Sequence, residues 1–216
     1  KLPLSAQRAL LRRVIFTLSQ SLNDVSFEAL ENMRMTLWGG DVGAHGDING
    51  VHFLVGYNDL ILHLPYKHPG AIYDFPLLKQ PIVFKVDVGD QVELVAAWAL
   101  RVDDVSSTAS LEEIQHNRQP WRIYLTVADE TTLEVRPRRP GERLRPLGMD
   151  GTVKVKDVMI NEKIPVAVRN YWPIVSDQQG ILWVAGLRQA QRSAVTASSQ
   201  RIWQVTIWKK EQDKVE

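Results

Sequence analysis

The sequence predicts an α+β protein: a helical segment ending in a hairpin, a β-rich middle, and a small C-terminal α/β domain. Three observations carry this reading. Apolar residues recur at helical spacing through the first forty positions, then alternate with polar ones across the middle of the chain. Between 136 and 173 prolines and glycines interrupt both patterns, and strand-like runs return after them. The expected boundaries are 1–64, 65–136 and 137–216.

In the first segment, a helix starts at Ser5 and carries Leu10, Leu11, Val14, Ile15 and Leu18 on one stripe, with Arg8, Arg12 and Arg13 mostly off it. Ser26 is placed to cap a second helix, with Glu28 in its first turn, where the helix dipole favours a negative charge. Phe27, Leu30, Met33 and Leu37 form its apolar face, and Gly39-Gly40 ends it. Val51, Phe53 and Val55 then alternate, as do Leu60, Leu62 and Leu64. Gly56-Tyr57-Asn58-Asp59 between them marks a hairpin.

Prolines at 65, 69, 76 and 81 break regular structure before the middle region. Strands are expected over 82–88, 92–102, 121–127 and 132–135, with turns at Gly89-Asp90 and Asp129-Glu130. Residues 106–117 read as an inserted loop with a short helix. The stretch 136–148 holds five arginines, three prolines and two glycines in 13 positions, so it cannot be a helix interior and must be a basic loop. A short helix follows at 154–160 and another begins at Pro165, with strands at 174–175, 181–185 and 202–208.

The formal net charge of +1 hides an asymmetry. Residues 1–130 hold 11 basic and 16 acidic side chains, a balance of −5, whereas residues 131–216 hold 15 and 9, a balance of +6. That split points to a polyanion on the second part, against the plainer alternative of a solvated basic face. There are no cysteines, which excludes a disulfide framework, a thiol nucleophile, a zinc-thiolate site and an iron–sulfur cluster, and fits a cytoplasmic protein. No apolar run approaches the ~18 residues of a membrane span, so no membrane partner is expected.

Sites for small-molecule chemistry are not evident. The chain has no GxxxxGK[ST] loop and no GxGxxG after a strand. The glycines of Gly39-Gly40-Asp41-Val42-Gly43 follow a helix instead of opening one, which suits a turn better than a phosphate cradle. The histidines at 45, 52, 63, 68 and 116 have no metal-ligand spacing, and no GxSxG elbow is present. The expectation is no catalytic residue, no metal and no cofactor in this chain. What remains is cationic: Arg138, Arg139, Arg143, Arg145, Lys154 and Lys156, whose forks and point charges suit phosphate. Tyr171 and Trp172 beside Arg169 are candidates to stack on bases, whereas Trp183 and Trp203 lie in apolar strands and read as core.

The stretch from Arg138 to Val175, RRPGERLRPLGMDGTVKVKDVMINEKIPVAVRNYWPIV, resembles the C-terminal domain of the tRNA(Ile)-lysidine synthetase family. The shared succession is an R-x-x-x-G-D-R-x-x-P-x-G-like opening, a Gly before a lysine-rich short helix, K-[IV]-P, and R-x-x-x-P. Ile181 to Arg188 resembles the strand and turn that follow, and Gln7 to Arg13 resembles the family's QRxLLRR helix. Glu142 stands where the family has Asp, and Val153 where it often has a second basic residue. The resemblance implies tRNA as partner, with Arg138, Arg139, Arg143, Arg145, Lys154, Lys156, Arg169 and Arg188 on the RNA. It also implies a parent enzyme that adenylates C2 of cytidine 34 of an isoleucine tRNA with ATP and magnesium, lysine then displacing AMP. The SGGxDS loop that binds ATP in the family is missing, so the catalytic domain is expected outside this chain. A stand-alone RNA-binding or scaffolding protein without catalysis is the alternative, and assembly into a homo-oligomer is compatible with either. An oligomerisation module with an incidental basic face is a third reading.

Overall fold

The structure is a computed structural model that describes residues 2–211. It has both helices and several antiparallel sheets, the α+β class expected, and divides into two compact units, 1–72 and 73–216. Among the described residues no helix is long and apolar enough to cross a membrane.

In the first unit, α1 (Leu4–Ser19) and α2 (Phe27–Gly39) pack on a three-stranded meander of β1 (His45–Ile48), β2 (Val51–Val55) and β3 (Leu60–His63). Leu11 and Ile15 of α1 and Leu30, Met33 and Leu37 of α2 bury against Ile48, Val51, Phe53 and Val55. Val14 and Leu18 are only half-buried and Leu10 is exposed, so the inner stripe is narrower than the sequence suggests. Ser26 caps α2 by accepting from the Ala29 N–H. Phe27, expected on the apolar face, is instead 66% exposed, with the Arg8 guanidinium 5.2 Å from its ring centroid. Strand β1 was not foreseen. It pairs with β2 through Asn49-Gly50, whose φ values of 51° and 72° are both left-handed, as a two-residue hairpin loop requires.

The second unit holds the strands β4 (Phe84–Val86), β5 (Gln91–Glu93), β6 (Trp98–Asp104), β7 (Arg122–Thr126), β8 (Leu133–Arg136), β9 (Arg143–Leu144), β10 (Val153–Lys154), β11 (Ile174–Asp177), β12 (Gly180–Val184), β13 (Arg188–Gln189) and β14 (Ile202–Lys209). Helix α3 (Leu111–His116) lies between β6 and β7, and α4 (Val155–Asn161) follows β10. A five-stranded sheet, β13-β12-β11-β8-β4, and a four-stranded sheet, β5-β6-β14-β7, are antiparallel throughout. Both contribute to one core, including Val86, Leu100, Leu125, Val135, Trp183, Trp203 and Val205. A second core forms where Val155, Val158 and Met159 of α4, with Trp172, meet Ile174, Ile181 and Val184. The five-stranded sheet is thus covered on both faces, which explains the unbroken apolar run 181–185.

Two expectations change here. The strand expected over 92–102 is the hairpin of β5 and β6, closed by the Trp98 N–H donating to the Val95 carbonyl at 3.0 Å. Ala96 and Ala97 at its tip have φ of 51° and 64°, a conformation their sequence does not announce. The boundary expected at 136/137 falls inside the five-stranded sheet, where β8 pairs with β4 and with β11. The middle strands and the C-terminal strands therefore belong to the same unit.

Candidate nucleic-acid interface

Residues 136–154 form an ordered ribbon attached to the five-stranded sheet at two places and closed on itself by a strand pair of its own. At its base Arg136 ends β8 and is only 2% exposed. Its Nε donates to Ser176 Oγ at 2.8 Å and its Nη1 to the Pro137 carbonyl at 3.0 Å. Its two terminal nitrogens reach both oxygens of Glu142, at 3.2 and 2.5 Å, and the Arg139 N–H donates to the same carboxylate at 3.0 Å. Next, β9 pairs with β10. Beyond it, Gln191 N–H donates to the Arg145 carbonyl and Leu147 N–H to the Gln189 carbonyl, so 145–147 runs along the end of β13.

These attachments settle where each expected cation lies. Arg143 and Lys154 are direct cross-strand partners and both are exposed, while Leu144 is buried and Val153 half-buried. Alternation on this short ribbon therefore turns its cations outward together. Arg143 is braced by Thr152, its Nε donating to Oγ1 at 3.0 Å and its Nη2 to the carbonyl at 2.8 Å. Arg145 is exposed and 3.4 Å from the fully exposed Asp150. Lys156 is exposed in the first turn of α4, with Asp157 beside it. Arg139 is exposed and 3.7 Å from Glu134. Arg138 is half-buried, with an Nε that has no hydrogen-bond partner among the described residues. Arg188, at the start of β13, pairs with Glu162 at 2.6 Å.

Two expectations fail to reach this surface. Arg169 is 6% exposed, and its Nε donates to the Ile164 carbonyl at 2.8 Å, which ties it into the turn after α4. Trp172 is 1% exposed, between the rings of Phe75 and Trp121, and its Nε1 donates to the Ala185 carbonyl. It is a core residue and not a stacking platform, because its indole N–H finds a partner inside. Trp183 and Trp203 are buried, as expected. Sequence reading missed the structural role of Arg136, for which the signal was its place at the end of a buried strand. It also missed Arg118 and Arg122, which lie in the acidic part of the chain. Among the described residues no group of three metal-ligating side chains occurs.

The second unit is thus a two-sheet domain with one sheet covered by a short helix and bearing an outward cationic ribbon. Residues 133–208 match the family model described as TilS substrate C-terminal domain. The tRNA(Ile)-lysidine synthase of Caldanaerobacter subterraneus subsp. tengcongensis is 37% identical over 199 residues, covering 91% of this chain and 40% of the relative. That of Oceanobacillus iheyensis is 33% identical over 136 residues, covering 62% of this chain and 26% of the relative. A solved structure, the crystal structure of a TILS C-terminal domain, shares the fold at a TM-score of 0.50 and 24% identity, covering 61% of this chain and 98% of that one. The chain is similar to tRNA(Ile)-lysidine synthases over most of its own length, and residues 133–208 to their C-terminal domain. It spans well under half the length of these relatives.

Proposed function

We propose that this chain is the tRNA-recognition part of a lysidine-forming ligase, and that the ribbon of β9 and β10 with the start of α4 carries phosphate contacts. The observation behind this reading is the cross-strand pair Arg143 and Lys154, both exposed and followed by Lys156. Lys154 and Lys156 sit at the N-terminal end of α4, where the helix dipole disfavours cations. Folding gains nothing from them there, whereas a bound polyanion would. Exposed ion pairs such as Arg145 with Asp150 contribute only about 0–1 kcal/mol and leave the clustering unexplained. In this reading ATP, magnesium and lysine are handled by a catalytic domain outside this chain, and the enzyme is cytoplasmic.

The test is a tRNA binding titration at several salt concentrations for the parent and for Arg143→Ala/Arg145→Ala. Each phosphate contact releases counterions, so the double variant should bind more weakly, and its log–log salt slope should flatten by about one unit per lost contact. Unchanged affinity and slope, with the fold intact, would remove the ribbon from the interface.

A further inference from the structure

We infer that a second site in the same unit, a groove between the α3–β7 connection and the β12–β13 turn, takes a single-stranded nucleotide of the RNA bound by the ribbon. The groove has a volume of about 520 Å³, and its lining includes three arginines, Arg118, Arg122 and Arg188, and no carboxylate. That volume lies within the ~300–1,000 Å³ of ligand pockets. Arg188 is paired with Glu162, which leaves the guanidinium groups of Arg118 and Arg122 without an ion pair among the described residues, around a hollow that no carboxylate lines, an arrangement that favours an anion.

The arginines differ in how they are held. Arg118 is exposed, and its Nη1 donates to the carbonyls of Gln115 and Asn117 at 2.9 and 3.1 Å. These bonds fix the side chain without neutralising it. The Nε of Arg122 is buried and has no hydrogen-bond partner among the described residues. The same guanidinium bears on the Tyr124 hydroxyl, but the unbonded Nε still costs free energy, and an acceptor in the groove would relieve that cost. Arg188 is paired with Glu162 at 2.6 Å, and the other nearby acid, Glu113, accepts from the Tyr124 hydroxyl at 3.2 Å. Each carboxylate is thus held by a residue of the lining, while neither acid itself lines the groove.

The rest of the lining suits a base. Ile123, Leu147 and Leu187 provide apolar surface, and the side-chain amides of Gln115 and Gln119 offer donors and acceptors at the rim. The Gly186 backbone, at φ 69°, passes so close to Trp121 that a Cβ would lie 2.5 Å from the ring, so the turn shaping this wall admits only glycine. Duplex RNA presents its bases edge-on in a narrow groove, whereas single strands offer faces to stack and edges to bond. A pocket with an apolar wall and a guanidinium rim matches the single strand. Leu147 ties the groove to the ribbon, since its backbone N–H donates to Gln189 within the same lining. One RNA can therefore meet both.

This inference rests on the RNA-binding reading of the ribbon, and the experiment separates the two. Two RNAs and a mononucleotide are titrated against the chain: a hairpin with flush ends, the same hairpin with a few unpaired nucleotides added to one end, and a free nucleoside monophosphate. The parent should bind the tailed hairpin about tenfold more tightly than the flush one, the scale of one stacked base. Arg118→Ala, at an exposed position, and Arg118→Ala/Arg122→Ala should lose that increment while retaining flush-hairpin affinity. Arg143→Ala/Arg145→Ala should weaken both hairpins. Equal binding of tailed and flush hairpins by the parent would overturn the groove site and leave the ribbon standing. So would an increment that survives in folded Arg118→Ala, or free nucleotide binding as tightly as the tailed hairpin. Failure of every RNA to bind would overturn both.

Discussion

Replacing Glu142 with Ala should destabilise the second unit by about 3–5 kcal/mol, the cost of stranding a buried cation. Arg136 is almost fully buried, and its pairing with Glu142 is bidentate. The variant removes that carboxylate and leaves the guanidinium in place. Arg136 keeps Ser176 Oγ and the Pro137 carbonyl, and Glu134 is 3.9 Å away, so the loss should fall near the lower end of the range. The Arg139 N–H loses its acceptor as well. With a urea m-value of about 2 kcal/mol/M, the unfolding midpoint should drop by about 1.5–2 M. Tryptophan fluorescence reads this unit well, because Trp172, Trp183 and Trp203 are all buried in it. Arg143→Ala, on the exposed side of the same ribbon, should change stability by no more than about 0.5 kcal/mol. The double variant Arg136→Met/Glu142→Leu removes both charges and should recover most of the loss. A loss below about 1 kcal/mol for Glu142→Ala at unchanged m would refute the argument. So would a double variant as unstable as the single one.

The hairpin tip between β5 and β6 offers a gain: Ala96→Asn/Ala97→Gly should stabilise the protein by about 1–2 kcal/mol, since both alanines adopt left-handed φ that Asn and Gly tolerate. A denaturant melt showing no gain would mean the turn changes conformation. In the first unit, hydrogen bonds from Arg8, and then Arg34, hold the Glu31 carboxyl down at about 2, against an ordinary value of 4.5. The stabilisation from that ionised group is fully present above about pH 5 and is lost as pH falls towards 2. Helical circular dichroism melts between pH 2 and 6 should therefore show a steeper acid loss for the parent than for Glu31→Gln, and parallel curves would exclude this triad as the cause.

Most of the fold was legible wherever periodicity was strong. The two N-terminal helices, the Ser26 cap and the 51–64 hairpin follow from spacing and punctuation that local physics reads directly. Strand β1 was missed although Asn49-Gly50 is a strong two-residue turn signal, because only one residue of β1, Ile48, is buried. The break at Ala96-Ala97 was not legible at all, since neither residue favours the conformation that tertiary structure imposes on it. Phe27 fits the helical stripe by position, but it is the first residue of α2 and stays exposed, with Arg8 over its ring. Trp172 was misjudged because Arg169 and Asn170 stand just before it in sequence, whereas its neighbours in space are Phe75 and Trp121.

The candidate interface shows why composition locates a basic surface without resolving it. The five arginines between 136 and 145 look alike in sequence, because proline and glycine erase the period that would assign faces. In space they separate by what their backbone pairs with. Arg136 belongs to a strand flanked on both sides by others, so its side chain is enclosed and must carry its counter-charge inward, and Glu142 supplies it. Arg143 and Lys154 belong to a two-stranded ribbon with one free face, so they point to solvent. The buried pair thereby holds the ribbon from which the exposed pair projects, and the two roles depend on each other. Cations on a loose loop would pay ordering entropy on meeting a phosphate, whereas cations on a ribbon already fixed to the sheet do not. This order also accounts for Arg118 and Arg122. They come from the acidic part of the chain, yet the antiparallel sheets bring them beside β13, where charge counted along the sequence could not place them.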